Sequence, residues 1–409
     1  MEVEKEISSN RRRNFLKKSG ISGGMLSMAV MVVFIGFGEK MGERFLPLYI
    51  ISLGGSAVAV ALLNTMDNLL SSLYSYPGGW ISDKLGHKKA LIIFTLFALV
   101  GYMIVIFIPV WQSVLIGAVF FIAWTAVSLP AIMSLVSKTM PGNKRVTGVT
   151  IHSFVRRIPM ALGPVAGGVL IASYGEVTGM RIAFSVASVL ALLSIGFVIK
   201  FMPEDKPRAA GKEGFLRTAG NLRGRLGVLL VSDILVRFAE QIPYAFVVIW
   251  VVTMNGLTTV EFGILTMIEM VTALIVYIPV AYFADKHGKK PFVLMTFVFF
   301  TLFPLVLIFS RSFNMLVIAF IIRGLKEFGE PTRKALIMDL APEESKAGTF
   351  GAYYLVRDIF VSAAAFGAAF LWNISPEVNF IAAFIFGLAG CIVFAIKGSD
   401  RDAGATIIS

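Results

Sequence analysis

The chain has 409 residues, 57% of them hydrophobic and only 15% charged, with 35 Phe and a formal net charge of +12. So apolar a composition exceeds the needs of a soluble core and points to a membrane protein. The one cysteine, Cys391, rules out an intramolecular disulfide, and three histidines, two of them in basic turns, argue against a metal centre.

In chain order, Arg12-Arg13-Asn14-Phe15-Leu16-Lys17 has the pattern of a twin-arginine export signal. The apolar run behind it contains Glu39 and lacks a small-residue cleavage site, so these bases are read as the flank of a first span. Apolar stretches of bilayer length then predict twelve helices: 22–51 (span 1), 56–80 (span 2), 88–109 (span 3), 112–138 (span 4), 147–174 (span 5) and 179–200 (span 6). After a polar interval at 201–226 come 227–253 (span 7), 260–284 (span 8), 291–310 (span 9), 313–340 (span 10), 347–372 (span 11) and 378–397 (span 12). The expected organisation is an N-terminal six-helix bundle at 1–200, a cytoplasmic linker at 201–226 and a C-terminal six-helix bundle at 227–409. The fold class is an all-α membrane protein of two pseudo-symmetric bundles.

The pseudo-symmetry is legible residue by residue. GWISDKLGHKK, from Gly79 to Lys89, recurs as AYFADKHGKKP, from Ala281 to Pro291, placing Asp83 against Asp285 and Gly86 against Gly288 at an offset of 202. Asp67 falls on Glu269 at the same offset. At an offset of 201, Glu39 falls on Glu240, Pro130 on Pro331, Arg156 on Arg357 and Ile158 on Ile359. A colinear series of this kind marks a duplication.

Lys and Arg orient the chain. The termini, the linker and the even-to-odd loops hold 25 basic residues with their flanks, whereas the opposite loops hold two, Arg181 and Arg311. Both termini are therefore expected in the cytoplasm, and the positive balance reads as topology and lipid-headgroup contact rather than nucleic-acid binding.

Charges inside spans are costly and hence informative. Spans 3, 6, 9 and 12 carry none in their interiors, while spans 1, 2, 5, 7, 8, 10 and 11 do. That distribution, the repeat and the turn motif resemble the major facilitator superfamily of secondary transporters. The turn pattern G-x-x-x-D-x-x-G-x-[RK]-[RK] is met by Gly79, Asp83, Gly86, Lys88 and Lys89, with Ala281 replacing glycine in the second copy, beside Asp285 and Gly288. The resemblance implies alternating access by rocking bundles, with the turn residues gating the cytoplasmic side. Span 5 carries Gly163-Pro164-Val165-Ala166-Gly167-Gly168, similar to the core of a motif associated with antiporters, although Thr150 and Pro159 stand where that pattern has glycines. Close helix packing explains the segment nearly as well.

Within this frame the proton-coupling candidates are Asp67, Glu39, Glu269 and Glu240. Asp67 and Glu269 have no opposite charge within four residues on their own helices, and a carboxyl isolated in low dielectric readily exchanges a proton. Lys40 and Glu43 are spaced to pair along span 1, leaving Glu39 on another face. EKMGERF resembles the E-x-x-E-R-F signature of proton-coupled peptide transporters but has one extra residue between its acids, a rotation of about 100° that is expected to spoil the shared geometry. Arg156 and Arg357 are the candidate anion readers, since a guanidinium grips carboxylate or phosphate through paired hydrogen bonds; Arg157 and Asp358 are expected to point elsewhere. The alternative for the two arginines is a structural salt bridge to Asp67 or Glu269. In span 10, Arg323, Glu327 and Glu330 are spaced for one face and for internal pairing, with Pro331 breaking the helix below; Glu327 and Glu330 are also substrate-contact candidates. Asp233, Arg237 and Glu240 should form a ladder within span 7.

The expected function is proton-coupled export or exchange of a small polar, anionic or zwitterionic organic molecule by a monomer in the inner or plasma membrane. The alternatives are uptake of peptides or organic anions by symport, and a non-transporting receptor on the same fold. No phosphate loop, cysteine pair or nucleophile elbow suggests an enzyme, and no cofactor is expected.

Overall fold

The computed structural model describes residues 23–122, 124, 145–202, 204, 220–342 and 346–400, with backbone only at 23–29, 75–80, 82–83, 145–154, 277–287 and 346–347. The linker expected at 201–226 therefore lies mostly outside the described residues, as does the second half of span 4.

Each span is helical over its described length, apart from breaks in spans 1, 7 and 10. Span 1 is Gly23–Glu43, then a turn at Arg44 and Phe45, then Leu46–Ser52, with Pro47 in the first turn, where a missing N–H costs nothing. Spans 2 and 3 are Ala57–Leu85 and His87–Phe107, span 4 is described over Trp111–Ile122, and spans 5 and 6 are Arg145–Tyr174 and Glu176–Phe201. Span 7, Gly224–Tyr244, bends by 42° at Pro243 into a segment that ends as the π-helix Trp250–Met254. Spans 8 and 9 are Thr259–His287 and Lys290–Phe309. Span 10 is Phe313–Leu325 followed by Glu330–Leu340, and spans 11 and 12 are Lys346–Ile374 and Pro376–Lys397. By length and composition seven described helices can cross a membrane, and the bent pair of span 7 makes an eighth.

Packing repeats with the sequence. In the first half span 1 packs on spans 5 and 6, and span 3 on span 6; in the second, span 7 packs on spans 11 and 12, and span 9 on span 12. The halves meet through two equivalent pairs, span 2 with span 11 and span 5 with span 8. With twelve spans, the termini and basic loops share one face, here the terminal face; the opposite one is the distal face.

The glycines of span 5 create its close contacts. A Cβ on Gly167 would run into the carbonyl oxygen of Met41 in span 1, and one on Gly168 into that of Thr259 in span 8. Gly263 of span 8 answers from the other side, where a Cβ would lie 2.6 Å from the Pro164 carbonyl oxygen. Thr259 Oγ1 donates to the Gly168 carbonyl at 2.8 Å. The segment that resembles an antiporter motif is thus a two-sided packing seam that closes the distal half of the interface.

The repeated turns are also built alike. Gly86 and Gly288 have φ of +81° and +85°, a region that strains any residue with a Cβ. Lys88 Nζ donates to the Ile199 carbonyl at 2.9 Å, and Lys290 Nζ to the Ala395 carbonyl at 3.0 Å. Each turn thereby caps the last turn of the final helix in its own bundle. Gly79 lies within the span 2 helix and Lys89 is exposed; the side chains of Asp83 and Asp285 lie outside the described residues.

Candidate functional site

Residues from both halves enclose a cavity of about 220 Å³. Span 1 contributes Glu39, Lys40, Glu43 and Arg44, span 2 contributes Asn64 and Asp67, and Arg323 enters from span 10. Tyr102, Phe121 and Phe184, with ring centroids 5.5 to 6.0 Å apart, form an aromatic wall that knits spans 3, 4 and 6. Tyr244 and Phe262 face them from the second half.

Lys40 donates to Glu39 at 3.0 Å and also to Glu43, so Glu39 is not turned to another face as the spacing suggested. Four residues advance a helix by about 400°, which leaves both acids on the cavity side, and the long lysine chain reaches each. The extra residue in EKMGERF therefore does not separate the two acids. Asp67, ten residues into span 2, lines the same cavity with no hydrogen bond or ion pair within 4 Å among the described residues.

Its repeat partner is placed differently. Glu269 is buried, 3.4 Å from Arg323 and 3.3 Å from Lys326. Lys326 continues to Glu240 at 2.8 Å, Glu240 to Arg237 at 2.5 Å, and Arg237 to Glu330 at 3.3 Å. Glu330 holds Arg333 at 2.7 Å, and Arg333 bonds Asp233, which also accepts from Tyr353 at 3.1 Å and lies 3.7 Å from Arg357. Five acids and six bases of the second half, counting Asp358 beyond Arg357 and Lys334 at 3.4 Å from Glu330, thus form one continuous chain of charge, most of it too deep for water to solvate.

Two internal pairings foreseen for these helices fare differently. The span 7 ladder is present, with Arg237 bonded to Glu240 and 3.9 Å from Asp233. The span 10 ladder is absent, because the helix stops at Leu325 and restarts at Glu330, ahead of Pro331 and not below it. Arg323 turns to Glu269, Glu327 to Arg157 at 3.0 Å, and Glu330 to Arg333 and Arg237. Glu327 and Glu330 are absent from the cavity lining.

The arginines also differ from expectation. Arg156 is exposed and absent from the cavity lining, whereas the adjacent Arg157 reaches across the halves to Glu327. Arg357 is buried and bound to Asp358, 2.6 Å away, so neither arginine pairs with Asp67 or Glu269. Asp358 in turn accepts from Ser72 of span 2 at 3.3 Å, a further polar link between the halves. The cavity's own guanidiniums are Arg44 and Arg323, both over the Tyr244 ring at 5.2 and 5.6 Å from its centroid. Their convergence depends on the turn after Glu43 and on the bend at Pro243, which no spacing rule anticipates.

Polar groups of both halves thus converge on a central cavity between two packed six-helix bundles, the architecture of a multi-pass membrane transporter. The profile of the Major Facilitator Superfamily matches residues 26–254 and again 229–406, and the chain belongs to that superfamily. It is 22% identical over 398 residues, 93% of this chain and 96% of the relative, to an uncharacterised transporter of the same type from Methanocaldococcus jannaschii. Among solved structures it resembles a POT family transporter in complex with a thioalcohol-conjugated peptide, with a TM-score of 0.76 at 13% identity, covering 91% of this chain and 95% of that one. It resembles the nucleoside transporter NupG equally, with a TM-score of 0.76 at 11% identity over 92% of this chain and 100% of that one. At such identities the likeness is one of fold.

Proposed function

We propose that the protein is a secondary active transporter that alternates access to its cavity and couples the cycle to protons at Asp67, with a small polar, anionic or zwitterionic molecule as cargo. The observation that carries this reading is the asymmetry of the two repeat-related acids. Glu269 is ion-paired with two cations, while Asp67 faces the cavity with no hydrogen bond or ion pair among the described residues, as suits a carboxyl that must gain and lose a proton. The glycine seam between spans 5 and 8 supports a state closed at the distal face, from which rocking of the halves would open it. We place the protein as a monomer in the cell membrane with both termini and the 201–226 linker in the cytoplasm, Asp83 and Asp285 gating that side.

Export or exchange is the primary direction. Uptake by symport is the second reading, favoured by the shared cavity face of Glu39, Glu43 and Arg44, the residues that resemble the peptide-transporter signature. Reconstitution into liposomes with an imposed pH gradient tests the whole reading. A gradient-driven flux lost in Asp67→Asn supports it, and flux indifferent to pH in the unaltered protein refutes proton coupling.

A further inference from the structure

Arg44 belongs to the first half and Arg323 to the second, yet both guanidiniums lie over the one ring of Tyr244 and line the same cavity. They repel each other, and their ion-pair partners within 4 Å differ. Arg323 has Glu269 at 3.4 Å, whereas no ion pair within 4 Å reaches Arg44 among the described residues. Glu43, its neighbour in sequence, is engaged by Lys40. Arg44 is thus a cavity-lining guanidinium that stands over the Tyr244 ring together with a second guanidinium from the other half. Planar fork donors of this kind bind carboxylate or phosphate through two parallel hydrogen bonds.

We infer that Arg44, Tyr244 and Arg323 form an anion clamp that takes the carboxylate of a small zwitterionic substrate, whose cationic end faces the carboxyls of span 1 and Asp67. An anion here would bridge the halves and relieve the repulsion between their guanidiniums, so that binding would favour the closed interface over the open one. A cavity of about 220 Å³ suits an occupant of roughly amino-acid size, below the ~300–1,000 Å³ of drug-sized sites. The inference rests on the transport reading above only in taking this cavity as the substrate site.

The test is binding to purified protein, which needs neither flux nor a proton gradient, with leucine, leucinamide, 4-methylpentanoate and isoamylamine as matched probes. Leucine and 4-methylpentanoate should raise the melting temperature at millimolar concentration, and the two probes without a carboxylate should bind at least about tenfold more weakly. Arg44→Lys should weaken leucine about tenfold while retaining charge, because a point charge replaces the fork. If that variant does not fold, as its ligand-free melting curve would reveal, Tyr244→Leu removes the platform and should reduce the same selectivity. Equal binding of leucine and isoamylamine, binding by none of the four, or unchanged leucine affinity in a folded variant overturns the clamp. None of those results touches proton coupling, which flux through Asp67→Asn decides separately.

Discussion

Asp67 and Glu269 occupy equivalent places in spans 2 and 8, yet Glu269 is ion-paired with Arg323 and Lys326 while Asp67 faces the cavity with no ion pair among the described residues. The duplication has therefore diverged in how it partners this pair of intramembrane acids.

Substituting each acid by its amide should separate the two roles. Asp67→Asn is expected to melt within a few degrees of the unaltered protein and to exchange substrate across liposomes while losing accumulation driven by a pH gradient. Accumulation that persists under a pure pH gradient would move the coupling role to Glu39.

Glu269→Gln should behave as a structural lesion. It leaves two buried cations facing a neutral amide, a loss of about 3–5 kcal/mol when one partner of a buried pair is removed. Thermal unfolding in detergent measures this directly, and a melting point unchanged from the parent would show that the network does not depend on Glu269.

Gly168→Ala should bias the conformational equilibrium. The added methyl meets the Thr259 carbonyl across the closed seam, so the distal-open state gains population. With Cys391→Ser as background, a cysteine at Ser71 should react several-fold faster with an impermeant maleimide from the distal side when alanine replaces Gly168. An unchanged rate would mean that the seam does not control access.

The turn motif predicts a kinetic effect. Asp83→Asn should insert and fold normally but turn over more slowly, with substrate affinity unaltered. Normal turnover combined with weakened binding would make Asp83 a binding residue and not a gate.

Topology has its own test on the same cysteine-free background. Lys212→Cys should label from the cytoplasm and Arg311→Cys from outside, and the reverse pattern would invert the orientation inferred from the basic loops.

The helices, their repeat and the glycine turns could be read from the sequence because each rests on a local cause: apolar length, charge at loop ends, or a backbone angle only glycine accepts at Gly86 and Gly288. The acids at the cavity were legible for a similar reason, since an intramembrane carboxyl demands a role. Which of them is free was not, because the partners of Glu269 come from span 10, separated from it by more than fifty residues. Arg156 and Arg157 show the limit most plainly. One step along a helix decides which of two adjacent arginines faces the other half and which is exposed, and symmetry with Arg357 selects the wrong one when the packing partner is a broken helix. Tyr244 gave no signal at all, since nothing in an apolar stretch marks one aromatic as the place where two distant guanidiniums meet.

The two lysine bonds at the terminal face have a mechanical consequence. Lys88 fastens the start of span 3 to the end of span 6, and Lys290 does the same for spans 9 and 12, so each tie lies within one bundle and none crosses between them. A hinge works only if its leaves are stiff. Because each tie joins the third helix of a leaf to its sixth, a rocking motion at the seam between the leaves would leave both ties intact.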